Sequence, residues 1–120
     1  MMIRKKYLYP FILFFIIYFF TTSVYYFPDG QGYFSYLSSL FYDNELDFYN
    51  DFINMHIPVP IAVTEKGYVS NIWSFGSAFL WTPYYLLAKF IVSTQGIQRV
   101  TPYSGWFWRF VNFGTMVYGF

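Results

Sequence analysis

The first long uncharged run of the chain, residues 7–28, sets the strongest limit on how it can fold. A helix of these twenty-two residues extends roughly 33 Å at about 1.5 Å per residue, and a bilayer core is about 30 Å thick. The run therefore predicts a first membrane span at 7–27. Because Asp29 follows directly, its carboxylate is predicted to lie at the boundary between membrane and water.

The charged residues are segregated along the sequence, and this predicts the topology. Basic residues occupy positions 4–6, whereas all six acidic residues fall between Asp29 and Glu65. Cytoplasmic segments carry an excess of Lys and Arg, so the N-terminus is predicted to be cytoplasmic and the acidic segment to lie outside. A secretory signal peptide is disfavoured because its apolar region is only about 7 to 15 residues long, and no small-residue cleavage site comes after the run.

Composition excludes two classes of function. A net charge of +1 without a longer basic run cannot neutralise a row of phosphates, so no nucleic-acid partner is expected. The chain has no cysteine, which removes disulfides, thiol nucleophiles and cysteine-based metal sites. The aromatic fraction of 29% is typical of membrane interfaces, although A+T-rich coding would also give it.

Two glycines, Gly30 and Gly32, predict a turn after the first span. Apolar side chains then recur at helical spacing over residues 33–42, a segment too short to cross a bilayer. We expect it to form an interfacial juxtamembrane helix within an extracytoplasmic loop of residues 28–72. Asp29 would stand near the N-terminus of this helix, where the helix dipole favours the ionised carboxylate.

An acid-rich run comes after the predicted interfacial helix. The spacing of Asp43, Glu45 and Asp47 imitates the start of an EF-hand loop, but Phe48 and Asn54 stand where the turn glycine and the bidentate Glu are needed. We therefore reject an EF-hand. A looser divalent-metal site stays open beside the interpretation of a solvated acidic turn. The sequence requires no cofactor.

The remainder of the chain predicts one loop and two further helices. Residues 56–70 are expected to be a loop with extended pieces, and His56, the lone histidine, is interpreted as a loop residue and not a ligand. A second span is predicted at 73–94, a cytoplasmic turn at 95–105 and a third span, cut near its end, at 106–120. Residues 1–120 are therefore interpreted as one membrane region of a longer product.

Three segments resemble the N-terminal portion of bacterial multi-spanning glycosyltransferases of the C-type (GT-C) superfamily. They match in order and spacing, and they are Phe27–Phe34 (FPDGQGYF), Asp43–Asn50 (DNELDFYN) and Gly76–Leu87 (GSAFLWTPYYLL). The resemblance covers most of the chain after Tyr26. It implies a polyprenyl-phosphate sugar as donor and an acidic residue after the first span as catalytic base, a position that Asp29 matches. Gly30 stands where the family often has a second acidic residue, which argues against a paired-carboxylate metal site.

With this resemblance, we expect an all-α integral membrane chain with two to three transmembrane helices and the interfacial helix, forming the N-terminal part of a GT-C-type membrane domain. The expected location is the bacterial inner membrane. Expected partners are the lipid bilayer, the lipid-linked sugar donor, and the remaining helices of a longer chain or a membrane partner.

The expected function is sugar transfer from the polyprenyl-phosphate donor to an extracytoplasmic acceptor, with Asp29 as general base. Tyr33 and Tyr36, one helical turn apart, are candidates for substrate binding or for interfacial packing. The alternative is a small non-catalytic integral membrane protein or helper subunit in which Asp29 only caps a helix. Other enzyme classes are disfavoured because the sequence has no P-loop, no Gly-x-Ser-x-Gly and no Rossmann fingerprint.

Overall fold

The computed structural model describes residues 5–21, 28–58, 62–96 and 100–119, with side chains from residue 8 onward. The described chain is mostly helical. Its helices are α1 (Lys5–Thr21), α2 (Pro28–Ser38), a π-helical segment (Ser39–Asp43), α3 (Tyr49–Asn54), α4 (Gly76–Thr94) and α5 (Gly105–Tyr118).

A short hairpin interrupts the helices, within the region where extended pieces were predicted. Strands β1 (Ala62–Val63) and β2 (Val69–Ser70) pair antiparallel, with Ala62 opposite Ser70. Gly67 in the connecting turn has a φ of +85°, a backbone conformation that favours glycine. The carbonyl of Val69 accepts a hydrogen bond of 3.2 Å from the Phe48 N–H, which joins the hairpin to the start of α3.

Helix α2 begins earlier than the sequence predicted. Pro28 is its first residue, and the fixed φ of proline suits the first turn of a helix. The predicted turn at 29–32 was therefore wrong, since these residues are helical. Gly32 is required by packing and not by a turn, because a Cβ added there would collide with the Trp73 indole ring.

The prediction that the helix at 33–42 lies at a membrane interface was also wrong. These residues form the rest of α2 and most of the π-helical segment. Both sides of the helix are covered by protein, because Phe34 and Leu37 are fully buried and so are Ser38 and Ser39. The serine side of this helix was predicted to face away from the apolar side, but it is buried as well. Burial of these serines is possible because their hydroxyls form hydrogen bonds with polar groups of the fold.

The core lies between α2, α4 and α5. Phe34 stacks on Trp108 with ring centroids 4.0 Å apart, and Tyr85 meets Phe107 at 4.7 Å. Helices α4 and α5 approach closely at Gly114, where a Cβ would collide with the Tyr84 ring. Burial of these large rings away from water is the main stabilising contribution.

Helix α1 packs along α5 through aromatic edges. The ring centroid of Phe15 lies 5.5 Å from that of Phe113, and Phe19 lies 5.2 Å from Phe110. The rest of its surface is largely exposed. Nine large apolar side chains of α1 have an exposed fraction between 40% and 72%. They are Leu8, Tyr9, Phe11, Ile12, Leu13, Phe14, Ile16, Ile17 and Phe20.

The prediction of an integral membrane fold with two to three transmembrane helices was wrong. Across the described ranges, no helix combines the length and the hydropathy needed to cross a membrane. Helix α1 has 17 described residues, which extend roughly 26 Å, and the 14 residues of α5 extend roughly 21 Å. Residues 22–27 of the predicted first span, 97–99 of the predicted turn and Phe120 of the predicted third span lie outside the described residues.

The predicted second span, 73–94, was wrong for a different reason. Helix α4 has 19 residues, but polar and helix-bending residues such as Thr82, Pro83 and Lys89 interrupt its apolar sequence. Lys89 is used within the fold, because its ammonium group donates a hydrogen bond to the Phe41 carbonyl of the π-helical segment. It also lies 5.6 Å from the ring centroid of Tyr42, a distance at which a cation is attracted to the aromatic face.

Candidate functional site

Asp29 lies in the first turn of α2 with its side chain exposed. Its Oδ1 accepts a hydrogen bond of 2.9 Å from the indole Nε1 of Trp73. This contact joins the start of α2 to the segment that precedes α4. In the described part of the chain, Trp73 is the one side chain that binds this carboxylate, so Oδ2 is left without a side-chain donor there.

The position of Asp29 also bears on its expected capping role. Pro28 precedes it inside the helix, so Asp29 is a first-turn residue and not the N-cap. Within the described ranges its carboxylate accepts a hydrogen bond from a side chain, Trp73, and from no backbone N–H. The helix dipole stabilises a carboxylate at this position even without a capping hydrogen bond.

The Trp73 side chain is itself held by a network around α2. The Asn71 amide donates to the Gly32 carbonyl at 2.7 Å and to the Ser35 hydroxyl at 2.8 Å, and its Oδ1 accepts from the Trp73 backbone N–H at 3.0 Å. The ring of Trp73 fills the space above Gly32. These contacts fix the indole, which in turn fixes the orientation of the Asp29 carboxylate.

The two candidate tyrosines both take part in packing. Tyr36 donates a hydrogen bond of 2.8 Å to the Trp73 carbonyl, and its ring lies 5.0 Å from that of Phe48. Burial raises the pKa of Tyr36. The Tyr33 ring lies 6.2 Å from that of Trp81. Tyr36 is therefore connected to Asp29 through Trp73, while Tyr33 extends toward α4.

The three candidate metal ligands, Asp43, Glu45 and Asp47, do not share a common site. Asp43 accepts a hydrogen bond of 2.9 Å from the Asn50 amide, and Asp47 accepts one of 3.0 Å from the Val69 N–H. Glu45 is exposed. Among the residues whose placement is described, no three His, Cys, Asp or Glu side chains are grouped to hold a metal ion.

Asp51 is a candidate functional residue that the sequence argument missed. It lies in α3, is fully buried and accepts three hydrogen bonds. The Ser38 hydroxyl donates one, the Ser39 hydroxyl donates another at 2.5 Å, and the Tyr103 hydroxyl donates the third at 3.0 Å. Burial raises the pKa of Asp51 to about 6, against the opposing effect of these hydrogen bonds. A buried carboxylate with a raised pKa is typical of functional sites.

A sequence signal for this burial existed. Phe48, Asp51, Phe52 and Met55 lie at i, i+3, i+4 and i+7, which places the carboxylate on the apolar face of α3. All four side chains are buried. An acid in the middle of an apolar helical stripe needs buried hydrogen-bond donors, and the adjacent serines of α2 and the π-helical segment supply two of them.

The negative charge of Asp51 also affects the pKa values of two tyrosines. Tyr85 is fully buried, and its hydroxyl has no hydrogen-bond partner within the described ranges. Burial, followed by the negative charge of Asp51, raises the pKa of Tyr85. The same two causes raise the pKa of Tyr103. Both phenols therefore stay neutral, and Tyr103 stays a hydrogen-bond donor to Asp51.

A cavity of about 200 Å³ adjoins this network. Its walls come from α2, the end of α3, the segment before α5, and α5 itself. The lining residues are Gln31, Asn54, Met55, His56, Tyr103 and Trp108. Tyr103 connects the cavity to Asp51, and the Asn54 side chain is a hydrogen-bond partner of the same Tyr103 hydroxyl. A polar path thus runs from the cavity to the buried carboxylate.

Comparison with known proteins found no relative. No protein family model matches the sequence, and neither the curated proteins nor the solved structures contain a significant match. The description of the chain as a transmembrane protein is therefore corrected, because no described helix is able to cross a membrane, and the comparisons give no support for the GT-C resemblance. The geometry of the two carboxylates and of the cavity is the basis for assigning a function.

Proposed function

We propose that Asp29 is a general base that takes the proton from an acceptor hydroxyl during a group-transfer reaction. The observation that carries this proposal is an exposed carboxylate held by a single indole N–H, at 2.9 Å from Trp73. This bond fixes one carboxylate oxygen, while the other has no side-chain donor within the described ranges. An exposed and oriented carboxylate is the arrangement that a general base needs, provided the acceptor comes within hydrogen-bond reach.

The proposed step forms one bond and breaks another at the same carbon. The acceptor oxygen forms a bond to the electrophilic carbon of the donor, its proton moves to Asp29, and the leaving group departs with the electron pair of the broken bond. Proton transfer by a positioned side chain contributes about 10² to 10⁴-fold to the rate. Sugar transfer from a polyprenyl phosphate is the reaction of this type that the sequence predicted. Contact with the lipid bilayer of the bacterial inner membrane is a separate prediction.

The arrangement around Trp73 supports a fixed geometry for the base. The indole lies against Gly32, and the backbone N–H of Trp73 donates to Asn71, whose amide donates in turn to the Gly32 carbonyl. A catalytic group gains most when its orientation is set before the substrate binds. Trp73 therefore acts as a positioning residue for Asp29.

Substitution of Asp29 by Asn tests the proposal, because Asn keeps the shape of the side chain but cannot accept the proton. In the native full-length protein, we expect Asp29→Asn to lower turnover of labelled donor by about 10² to 10⁴-fold. Glu45→Gln removes another exposed carboxylate and serves as the matched control with unchanged turnover. Near-normal turnover of Asp29→Asn would eliminate Asp29 as the base.

A second candidate function is a non-catalytic helper chain, and one observation favours it. The exposed apolar side chains of α1, from Leu8 to Phe20, are distributed around the helix and not along one stripe. A helix that is apolar all round is normally enclosed on several sides. The proposed occupants are the remaining helices of a longer chain or of a larger partner. In this case Asp29→Asn leaves function unchanged, whereas charges introduced at Leu13 and Ile17 abolish assembly.

A further inference from the structure

We infer that the cavity between α2, the end of α3 and α5 is a binding site for a small neutral molecule that carries several hydroxyl groups. The inference concerns a different part of the molecule from Asp29 and does not depend on the proposed transfer reaction. It rests on the size of the cavity, on the chemistry of its walls, on the hydrogen-bonding capacity left unused there, and on the backbone conformation of His56.

The size of the cavity limits the ligand. A volume of about 200 Å³ is smaller than pockets for drug-sized ligands, which begin at about 300 Å³. A water molecule occupies about 30 Å³ of the liquid, so the cavity has room for roughly six or seven atoms of that size. Covalently bonded atoms each take less space than a water molecule, so a polyol of three or four carbons, with six to eight non-hydrogen atoms, fits this volume.

The walls favour a neutral ligand that both donates and accepts hydrogen bonds. Two amides, an imidazole and a phenol line the cavity, from Gln31, Asn54, His56 and Tyr103. Amides, phenols and the neutral form of an imidazole can each donate and accept, as an alcohol hydroxyl does. Among the described residues that line the cavity, none is Lys, Arg, Asp or Glu, so a charged ligand would have no counter-charge in this wall.

Several of these polar groups retain unused capacity. The Gln31 amide nitrogen donates to the Met55 carbonyl at 3.0 Å, and the Asn54 amide nitrogen donates to the Asn50 carbonyl at 2.8 Å. Both bonds use the nitrogen and leave the side-chain oxygen available. Among the described contacts, the His56 imidazole makes no hydrogen bond. A ligand with two or three hydroxyls can satisfy these groups together.

The backbone of His56 points to the same site. Its φ of +54° is uncommon for a residue other than glycine. His56 follows α3 in a C-terminal cap, in which the Ile57 N–H donates to the Phe52 carbonyl at 3.0 Å, and glycine is the residue that normally occupies such a position. Glycine would adopt this conformation without strain, so what histidine adds is the imidazole in the cavity wall. Strained residues of this kind cluster at ligand sites.

The buried carboxylate completes the site from behind. Asp51 accepts a hydrogen bond from the Tyr103 hydroxyl, which holds the phenol in one orientation. Asp51 itself does not line the cavity and is a positioning residue. The apolar surfaces of Met55 and Trp108 supply contacts for the carbon atoms of the ligand.

Ligand-observed NMR on the full chain tests the inference, with glycerol and erythritol as probes. We expect saturation transfer to both polyols, and at most a tenth of that affinity for 1-butanol, which lacks the additional hydroxyls, and for glycerol phosphate, which carries charge. Gln31→Met preserves side-chain length and is expected to weaken polyol binding at least tenfold. Gln95→Met, at the exposed end of α4, is the matched control with unchanged binding.

A second variant keeps the test decisive if Gln31→Met does not fold. His56→Gly is compatible with the positive φ and removes only the imidazole, so it is expected to fold and to weaken polyol binding. The inference is overturned if the unmodified chain binds no polyol, if 1-butanol or glycerol phosphate binds as well as erythritol, or if the folded cavity variants bind as tightly as the Gln95→Met control.

Discussion

Asp51 and Asp29 are the same residue type in opposite environments. Asp29 is exposed and has one indole partner, whereas Asp51 is fully buried with two serines and a tyrosine as partners. Asp29 was singled out by its position after a predicted first span, which the structure contradicts. Position along the sequence was not sufficient for Asp51, because its partner Tyr103 lies 52 positions away and only the folded chain brings the two together.

The raised pKa of Asp51 predicts an unusual dependence of stability on pH. Its pKa in the folded chain is about 6, against 3.8 for the unperturbed group, so the folded state binds the proton more tightly than the unfolded state. Ionisation of Asp51 therefore destabilises the fold by up to about 3 kcal/mol, relative to its protonated form, at pH above 7, and this penalty disappears as pH falls from about 6 to about 4.

Urea unfolding of the chain and of Asp51→Asn between pH 4 and 8 measures this effect. Other carboxylates titrate in both proteins, so the informative quantity is the difference between the two free energies of unfolding. We expect that difference to move in favour of the unmodified chain as the pH is lowered. A difference that is constant with pH, or that moves in the opposite direction, would contradict a raised pKa for Asp51.

At the scale of elements, α2 shows both what the sequence could predict and why the rest was missed. The helical spacing of residues 33–42 predicted a helix, and a helix is present there. Gly30 and Gly32, which precede this segment, were interpreted as a turn only because glycine favours turns. Gly32 packs against Trp73, 41 positions further along the chain, and no local rule reports such a contact. The spans predicted at 73–94 and 106–120 were wrong: the sequence did not reveal that Lys89 of α4 bonds within the fold, or that α5 has only 14 residues.

Gly32 and Gly30 give a matched pair of substitutions in this helix. An alanine normally stabilises a helix interior by about 0.5 to 1 kcal/mol relative to glycine. At Gly30 the added Cβ would lie 4.0 Å from the Trp108 ring, an ordinary contact, so Gly30→Ala is expected to be neutral or stabilising. At Gly32 it would collide with the Trp73 ring, and overpacking costs about 1 to 3 kcal/mol.

Chemical denaturation monitored by circular dichroism compares the two variants. Gly32→Ala is expected to unfold at a lower urea concentration than the unmodified chain, and Gly30→Ala at an equal or higher one. Equal stability of the two variants would mean that Trp73 does not occupy the space above Gly32, and the positioning role of Trp73 toward Asp29 would lose its basis.

At the scale of the whole molecule, the described chain measures 58 × 32 × 24 Å, and its contacts are unevenly distributed. Helices α2, α4 and α5 share the buried core, whereas α1 packs mainly on α5. A groove of about 620 Å³ lies along that contact. It is lined by apolar residues, which are Leu8, Phe11, Ile12, Phe15, Ile16, Phe19, Phe20, Phe110, Phe113 and Val117.

This uneven distribution predicts local differences in stability. Segments with few buried apolar contacts open with lower free energy than the core. In the isolated chain, we expect the backbone amides of α1 to exchange with solvent deuterium at least tenfold faster than those of α4 and α5. Mass spectrometry of peptides from the exchanged chain provides the measurement. Equal protection of α1 and α5 would show that α1 is as firmly packed as the core.

The most direct test of the role proposed for Asp29 is chemical rescue. Asp29→Gly removes the carboxylate and leaves space beside Trp73 for a small acid. Transfer activity of the native full-length protein with this substitution should fall by about 10² to 10⁴-fold, and it should rise in proportion to added formate but not to added chloride. Activity that is unaffected by the substitution, or that is lost and does not respond to formate, would contradict a general base at position 29.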